Sequence, residues 1–174
     1  MAEMITPWEL IKKLESAGEL SKDEFVYLIG NRDSVDREKL YALAREIQHR
    51  IFGNKVYLRG LIEFTNYCRN DCLYCGIRRS NKKAERYRLT KEQILEACEM
   101  GYRLGYRTFV LQGGEDMSYS SEDIADLVKG IKKGFPDCAV TLSVGERSRE
   151  DYQKWFDAGA DRYLLRHETA NEEH

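Results

Sequence analysis

Between Val35 and Ile51, apolar residues fall at Leu40, Leu43, Ala44, Ile47 and Ile51, the spacing of one face of an amphipathic helix. Two helical starts precede it. Thr6 before Pro7 predicts an N-cap with proline at the first helical position, and Ser21-Lys22-Asp23-Glu24 has the form of a capping box. Gly53-Asn54 ends this stretch, so residues 1–54 read as an N-terminal helical segment. From residue 55 the rhythm changes to short apolar runs separated by amphipathic ones. Val56–Phe64, Arg107–Gln112, Cys138–Ser143 and Asp161–Arg166 are predicted strands. Helices are predicted over Lys91–Leu104 with Thr90 as N-cap, over Ser121–Lys133 closed by Gly134 and Pro136, and over Glu150–Ala158.

Strands separated by helices of this length imply parallel pairing through right-handed crossovers. Two α/β architectures compete. A doubly wound sheet usually carries a glycine-rich phosphate turn after its first strand, and this chain has three cysteines there instead. A (β/α) barrel puts its chemistry in the loops after successive strands. The unusual residues stand at those places: Cys68 to Cys75, Gly113 to Asp116, Ser143 with Glu146, and Arg166-His167-Glu168. The expected fold is therefore a partial TIM-type barrel of about four parallel strands with a helical extension. A full barrel takes eight units and about 250 residues. Residues 55–174 supply four strands, which predicts the N-terminal half of a barrel, truncated after the fourth strand.

Composition narrows the function classes. The chain has 174 residues and a formal net charge of −2, with 33% charged residues of interspersed sign. That balance gives no electrostatic footprint for nucleic acid or an acidic membrane surface. No run has the length of a membrane span, and Met1–Pro7 lacks the basic and apolar regions of a signal peptide, so a cytoplasmic location is expected. Arg78, Arg79, Lys82 and Lys83 form a basic run that reads as a solvated loop.

Five cysteines are present, an odd number, and three are clustered, unlike a secreted disulfide framework. Cys98 and Cys138 read as small core hydrophobes. Cys68, Cys72 and Cys75 lie within eight residues as C-x3-C-x2-C. Three thiolates so close can wrap one metal cluster, and on a cluster of four irons they leave one iron open to a small molecule. The loop is too tight for the two separated knuckles of a zinc site, which also needs a fourth ligand; His167 is the histidine that could approach in space.

Ile62 to Arg79 with its three cysteines, Arg86-Tyr87-Arg88, Val110 to Asp116 with Gly113-Gly114-Glu115, and Ala158 to Ala170 with Leu165-Arg166-His167-Glu168-Thr169 together resemble the radical S-adenosylmethionine (SAM) superfamily. Within it the pattern is similar to the HydE-type maturases of [FeFe]-hydrogenase, and beyond them to methylornithine synthases and biotin synthases. The resemblance implies a [4Fe–4S] cluster on Cys68, Cys72 and Cys75, with SAM chelating the fourth iron. It implies cofactor contacts from Tyr74 beside the adenine, from Gly113, Gly114 and Glu115 to the methionyl ammonium, and from Glu168. Gln112 and Ser143 are further cavity-facing candidates. Arg166 is expected to clamp a substrate carboxylate through its planar fork, with a plain Arg166–Glu168 ion pair as the rival.

The function so implied is reductive cleavage of SAM to a 5′-deoxyadenosyl radical in hydrogenase maturation. Another radical SAM enzyme, or a non-catalytic fragment that binds a cluster, are the alternatives. The implied partners are a small-molecule or small metal-complex substrate, a reductant such as ferredoxin or flavodoxin, and other hydrogenase maturases.

Overall fold

The computed structural model describes residues 5–168, 170 and 171. Met1–Met4 of the expected leaderless N-terminus and Thr169 of the fourth-strand motif lie outside the described residues. Contacts divide the chain into two units, Met1–Val56 and Tyr57–His174.

The first unit is helical. Helix α1 (Pro7–Ala17) starts on a reciprocal capping box of Thr6 and Glu9, and α2 (Lys22–Gly30) on one of Ser21 and Glu24. A 3-10 turn at Arg32–Ser34 leads into α3 (Arg37–Phe52), capped by Asp36. Lys39 of α3 lies over the Trp8 ring of α1, 4.1 Å from its centroid. The expected apolar stripe of α3 is only partly covered: Leu40, Leu43 and Ile47 are half-buried, while Ala44 and Ile51 are exposed.

The second unit alternates strand and helix: β1 (Gly60–Thr65), α4 (Lys91–Arg103), β2 (Thr108–Gly113), α5 (Ser121–Gly134), β3 (Ala139–Ser143), α6 (Arg149–Asp157) and β4 (Arg162–Tyr163). All pairings are parallel and the sheet order is β1-β2-β3-β4. A doubly wound sheet reverses its order at a switch point; this one does not, so right-handed crossovers put all three helices on one face. The architecture is a partial (β/α) TIM-type barrel of four parallel strands with an N-terminal helical extension.

Strand alternation explains the core. Ile62 and Phe64 of β1, Phe109 and Leu111 of β2, and Val140 and Leu142 of β3 meet Ile94 and Cys98 of α4, Ile124, Val128 and Ile131 of α5, and Trp155 of α6. Each such side chain, fully buried, contributes roughly 1.5–3 kcal/mol. The expected thiols Cys98 and Cys138 are both part of this core. Burial pushes the Cys98 thiol up to about 12.

Two strands are shorter than their hydrophobic pattern predicts. Val56, Tyr57 and Leu58 are exposed, because pairing with β2 begins only at Gly60 opposite Phe109. The fourth predicted strand, Asp161–Arg166, keeps its ladder only at Arg162 and Tyr163, opposite Thr141 and Leu142. Two further backbone bonds flank it, Asp161 N–H to Val140 O at 2.9 Å and Leu164 N–H to Leu142 O at 2.8 Å. Apolar composition makes a strand only where a neighbour supplies the ladder.

Candidate functional site

The C-terminal ends of the four strands enclose a cavity of about 310 Å³. Its wall combines the cysteine loop, the Gly113-Gly114-Glu115 turn, Ser143 with Gly145 and Glu146, and the segment Leu164 to Arg166 with Glu168. Cys68, Cys72, Cys75 and Tyr74 all lie on it. Of the residues expected to meet a cofactor or substrate, Gln112 is the one that does not line the cavity. Its amide donates to Glu63 Oε1 at 3.1 Å on the sheet's open face. His167 is likewise absent from the wall.

The cysteine loop leaves β1 at Thr65. Cys75 N–H donates to Cys72 O at 2.9 Å, a tight turn that sets these two residues side by side. All five cysteines are free thiols. Among the described residues no three His, Cys, Asp or Glu side chains converge tightly enough to hold a single metal ion. The three free thiols share one cavity wall, and thiolates are the usual ligands of iron–sulfur clusters.

The glycines at the end of β2 serve the protein's own packing. A Cβ on Gly114 would stand 2.2 Å from Tyr67 O and 2.7 Å from Cys68 Cβ; one on Gly113 would stand 2.6 Å from Thr65 Cγ2. Their absence of side chain lets the β2 turn press directly against the start of the cysteine loop. Gly145, at φ +81°, does the same for Glu115: a Cβ there would overlap the Glu115 side chain at 1.9 Å. Glu115 Oε2 accepts from Arg69 Nε at 2.7 Å, Glu115 Oε1 accepts from the Glu146 N–H at 3.1 Å, and Glu115 O accepts from the Arg69 N–H at 3.1 Å. Burial alone would raise the Glu115 carboxyl, but the Glu146 amide and Arg69 more than offset it and hold it below its ordinary value. Glu115 therefore locks three strand ends together.

Asp116 is buried and was not expected to carry a role. Its carboxylate accepts from Arg88 Nε at 2.6 Å and Nη2 at 3.0 Å, from Thr65 Oγ1 at 2.7 Å and from the Ser118 N–H at 3.0 Å. Burial acts to raise its pKa; the Arg88, Thr65 and Ser118 bonds outweigh it and bring it from 3.8 to about 2. Arg88 also lies 3.6 Å over the Tyr67 ring. The pairs Arg88–Asp116 and Arg69–Glu115 span 28 and 46 residues of sequence, and no local spacing signals them. Gly145 was detectable as a glycine two residues past the end of an apolar strand.

Across the cavity, Tyr74 Oη donates to Glu168 Oε2 at 2.7 Å. That bond to a carboxylate, with burial adding less, pushes the Tyr74 phenol up to about 12. Glu168 holds φ +60°, the left-handed region that non-glycine residues rarely enter. Its partner is thus Tyr74, and among the described residues Arg166 makes no ion pair with it.

The [FeFe] hydrogenase maturase subunit HydE of Thermotoga maritima is 48% identical over 167 residues, covering 96% of this chain and 47% of that protein. 3-Methylornithine synthase of Methanosarcina acetivorans is 32% identical over 166 residues, covering 93% of this chain and 46% of that protein. The crystal structure of methylornithine synthase (PylB) superimposes with a TM-score of 0.73 at 29% identity, covering 99% of this chain and 47% of that one. The chain thus spans about half the length of the curated relatives it matches. The sequence profile of the Radical SAM superfamily matches residues 62–174, and the chain belongs to that superfamily.

Proposed function

We infer that this chain carries a [4Fe–4S] cluster on Cys68, Cys72 and Cys75 and presents SAM to it, for reductive cleavage in the service of [FeFe]-hydrogenase maturation. The observation that carries this reading is the meeting of the three thiols with the ends of the other three strands around one cavity. Superfamily membership implies the cluster and SAM in general terms. The maturation role is drawn from the 48% identity to HydE, against 32% to 3-methylornithine synthase.

When bound, the cluster would supply the single electron that divides SAM into methionine and a 5′-deoxyadenosyl radical. The chain's residues do the binding and orienting. Glu115 accepts from Arg69 and from Glu146 with its two carboxylate oxygens, each of which keeps a further lone pair, so the carboxylate or the carbonyls of the Gly113-Gly114 turn would receive the methionyl ammonium. Tyr74 offers a ring to the adenine and, through its hydroxyl, fixes Glu168 on the opposite wall. Ser143 contributes a hydroxyl at the end of β3. Arg166 supplies a guanidinium on the same wall as Glu168, suited to a carboxylate of the substrate. An electron carrier such as ferredoxin or flavodoxin would deliver the electron.

Anaerobic reconstitution with iron and sulfide, then dithionite and SAM, tests the reading. The wild-type chain is expected to form 5′-deoxyadenosine, and Cys72→Ala to lose both the iron–sulfur charge-transfer absorption and the product. A fully loaded wild-type chain that forms no 5′-deoxyadenosine would reduce the function to cluster binding alone.

A further inference from the structure

We propose that Arg86 is the positioning residue of the cysteine loop: its guanidinium ties the two feet of the loop together and holds the three thiols arranged before any iron arrives. This rests on the assignment of Cys68, Cys72 and Cys75 as cluster ligands.

Arg86 Nη1 donates to Asn66 O and, at 2.9 Å, to Ile77 O. Arg86 Nη2 donates to Arg78 O at 2.7 Å and to Asn81 O at 3.3 Å. Asn66 stands two residues before Cys68 and Ile77 two residues after Cys75. One planar cation therefore bridges the chain entering the loop to the chain leaving it. Four carbonyl oxygens surround it, and their partial negative charges offset the loss of water around a half-buried guanidinium. The two terminal nitrogens of arginine lie in a fixed fork, which lets one side chain hold separate acceptors at once; a lysine ammonium is a single point of charge.

Asn66 completes the clamp from the other side. Its Nδ2 donates to Glu85 O at 2.6 Å and its Oδ1 accepts from the Tyr87 N–H at 2.8 Å, so the backbone on both sides of Arg86 is fastened to the loop's first foot. The loop needs such polar ties. Cys72, Leu73 and Tyr74 are exposed, and no residue of 66–76 belongs to the buried apolar core. Its internal bonds, Cys75 N–H to Cys72 O and Arg79 N–H to Asn70 O, both 2.9 Å, shape the turn without anchoring it to the sheet. Where Arg88–Asp116 fastens the end of β1 to the turn after β2, Arg86 reaches both feet of the loop.

The test compares the full wild-type chain with Arg86→Lys, Arg86→Ala and Cys72→Ala. Amide hydrogen exchange is read on the metal-free proteins, and the rate of iron loss to a chelator on the reconstituted ones. In Arg86→Ala the Cys75 and Arg79 amides are expected to exchange on the order of tenfold faster, with the β2 and β3 amides unchanged. Iron loss is expected to accelerate by on the order of tenfold, and Arg86→Lys to fall short of wild type on both readouts although it keeps the charge. Exchange and iron loss matching wild type in both variants would overturn the proposal. So would faster exchange throughout the β2 and β3 amides in both variants, because Arg86 would then support the fold as a whole. A wild-type chain that retains no more iron than Cys72→Ala would instead remove the cluster assignment, while the metal-free exchange data would still report whether Arg86 holds the loop.

Discussion

The two faces of the β1–β3 sheet are built from alternate residues of the same strands, yet they do different work. Toward α4–α6 stand Phe64, Phe109, Leu111, Val140 and Leu142, all sealed in the core. Toward the other side stand Leu61, Glu63, Val110, Gln112, Thr141 and Ser143; Leu61 is 54% exposed at the β1 edge, while Val110, Thr141 and Ser143 are buried. The Thr141 hydroxyl is buried and has no hydrogen-bond partner among the described residues. Stability is concentrated on the helix face, where apolar area leaves water. The open face and the strand ends above it are therefore free to hold thiols, carboxylates and guanidinium groups that a core would reject. Chemistry at the rim and cohesion in the core should respond to different perturbations.

The largest separation is expected in thiol chemistry. Cys72 is exposed and should react with iodoacetamide in the native metal-free chain, as should its half-buried neighbours Cys68 and Cys75. Cys98 is buried, with its thiol pushed up to about 12, and should be alkylated only through unfolding, slower by orders of magnitude. Mass mapping of modified peptides against time checks this. Comparable rates for Cys98 and Cys72 would mean that the helix face is not sealed.

Next comes packing. Ile131→Ala, at a fully buried position of α5, should cost about 2–5 kcal/mol in urea unfolding. Leu73→Ala, at a position 87% exposed on the cysteine loop, should stay within about 0.5 kcal/mol of wild type. Equal costs would erase the distinction between rim and core.

Asp116 sharpens the comparison because it is buried polar material at the junction of the two. Its pKa lies below the ordinary 3.8, at about 2, so its contribution is fully present above about pH 4 and is lost as pH falls toward 2. A shift of that size is worth about 2 kcal/mol. Urea midpoints should fall between pH 4 and pH 2 in the wild type and less steeply in Asp116→Asn. Identical slopes would show that the Arg88 pair has no hold on the native state.

These pairs also mark what could be read from the chain. Thr6, Ser21 and Thr90 announced helix starts because a cap is a local contract over three residues. The grouping of the cysteines, Gly113–Glu115, Ser143 and Glu168 around one cavity was legible because each stands at or beyond the C-terminal end of a strand. Strand lengths were less legible, since Val56–Leu58 and Leu165–Arg166 have strand-like composition but lie outside the paired register. Least legible were the fasteners. Arg86 on four carbonyls depends on how the one connection between β1 and α4 folds back on itself, while Arg88 on Asp116 and Arg69 on Glu115 depend on which strand ends become neighbours, which the sheet order decides.

The smallest expected effect lies at the cavity mouth. The bond to Glu168 raises the Tyr74 phenol to about 12, so Glu168→Gln should return it toward the ordinary 10 without altering the melting temperature. Carbon-detected titration of ring-labelled tyrosine reads this directly. An unchanged titration would separate the two walls of the cavity.

The most direct measurement is the electron paramagnetic resonance spectrum of the dithionite-reduced, reconstituted chain before and after addition of SAM. A cluster held by Cys68, Cys72 and Cys75 with one open iron should give a reduced iron–sulfur signal whose g values move when SAM binds, and Cys72→Ala should give no such signal. A signal indifferent to SAM, or iron bound only as isolated ions, would contradict the account.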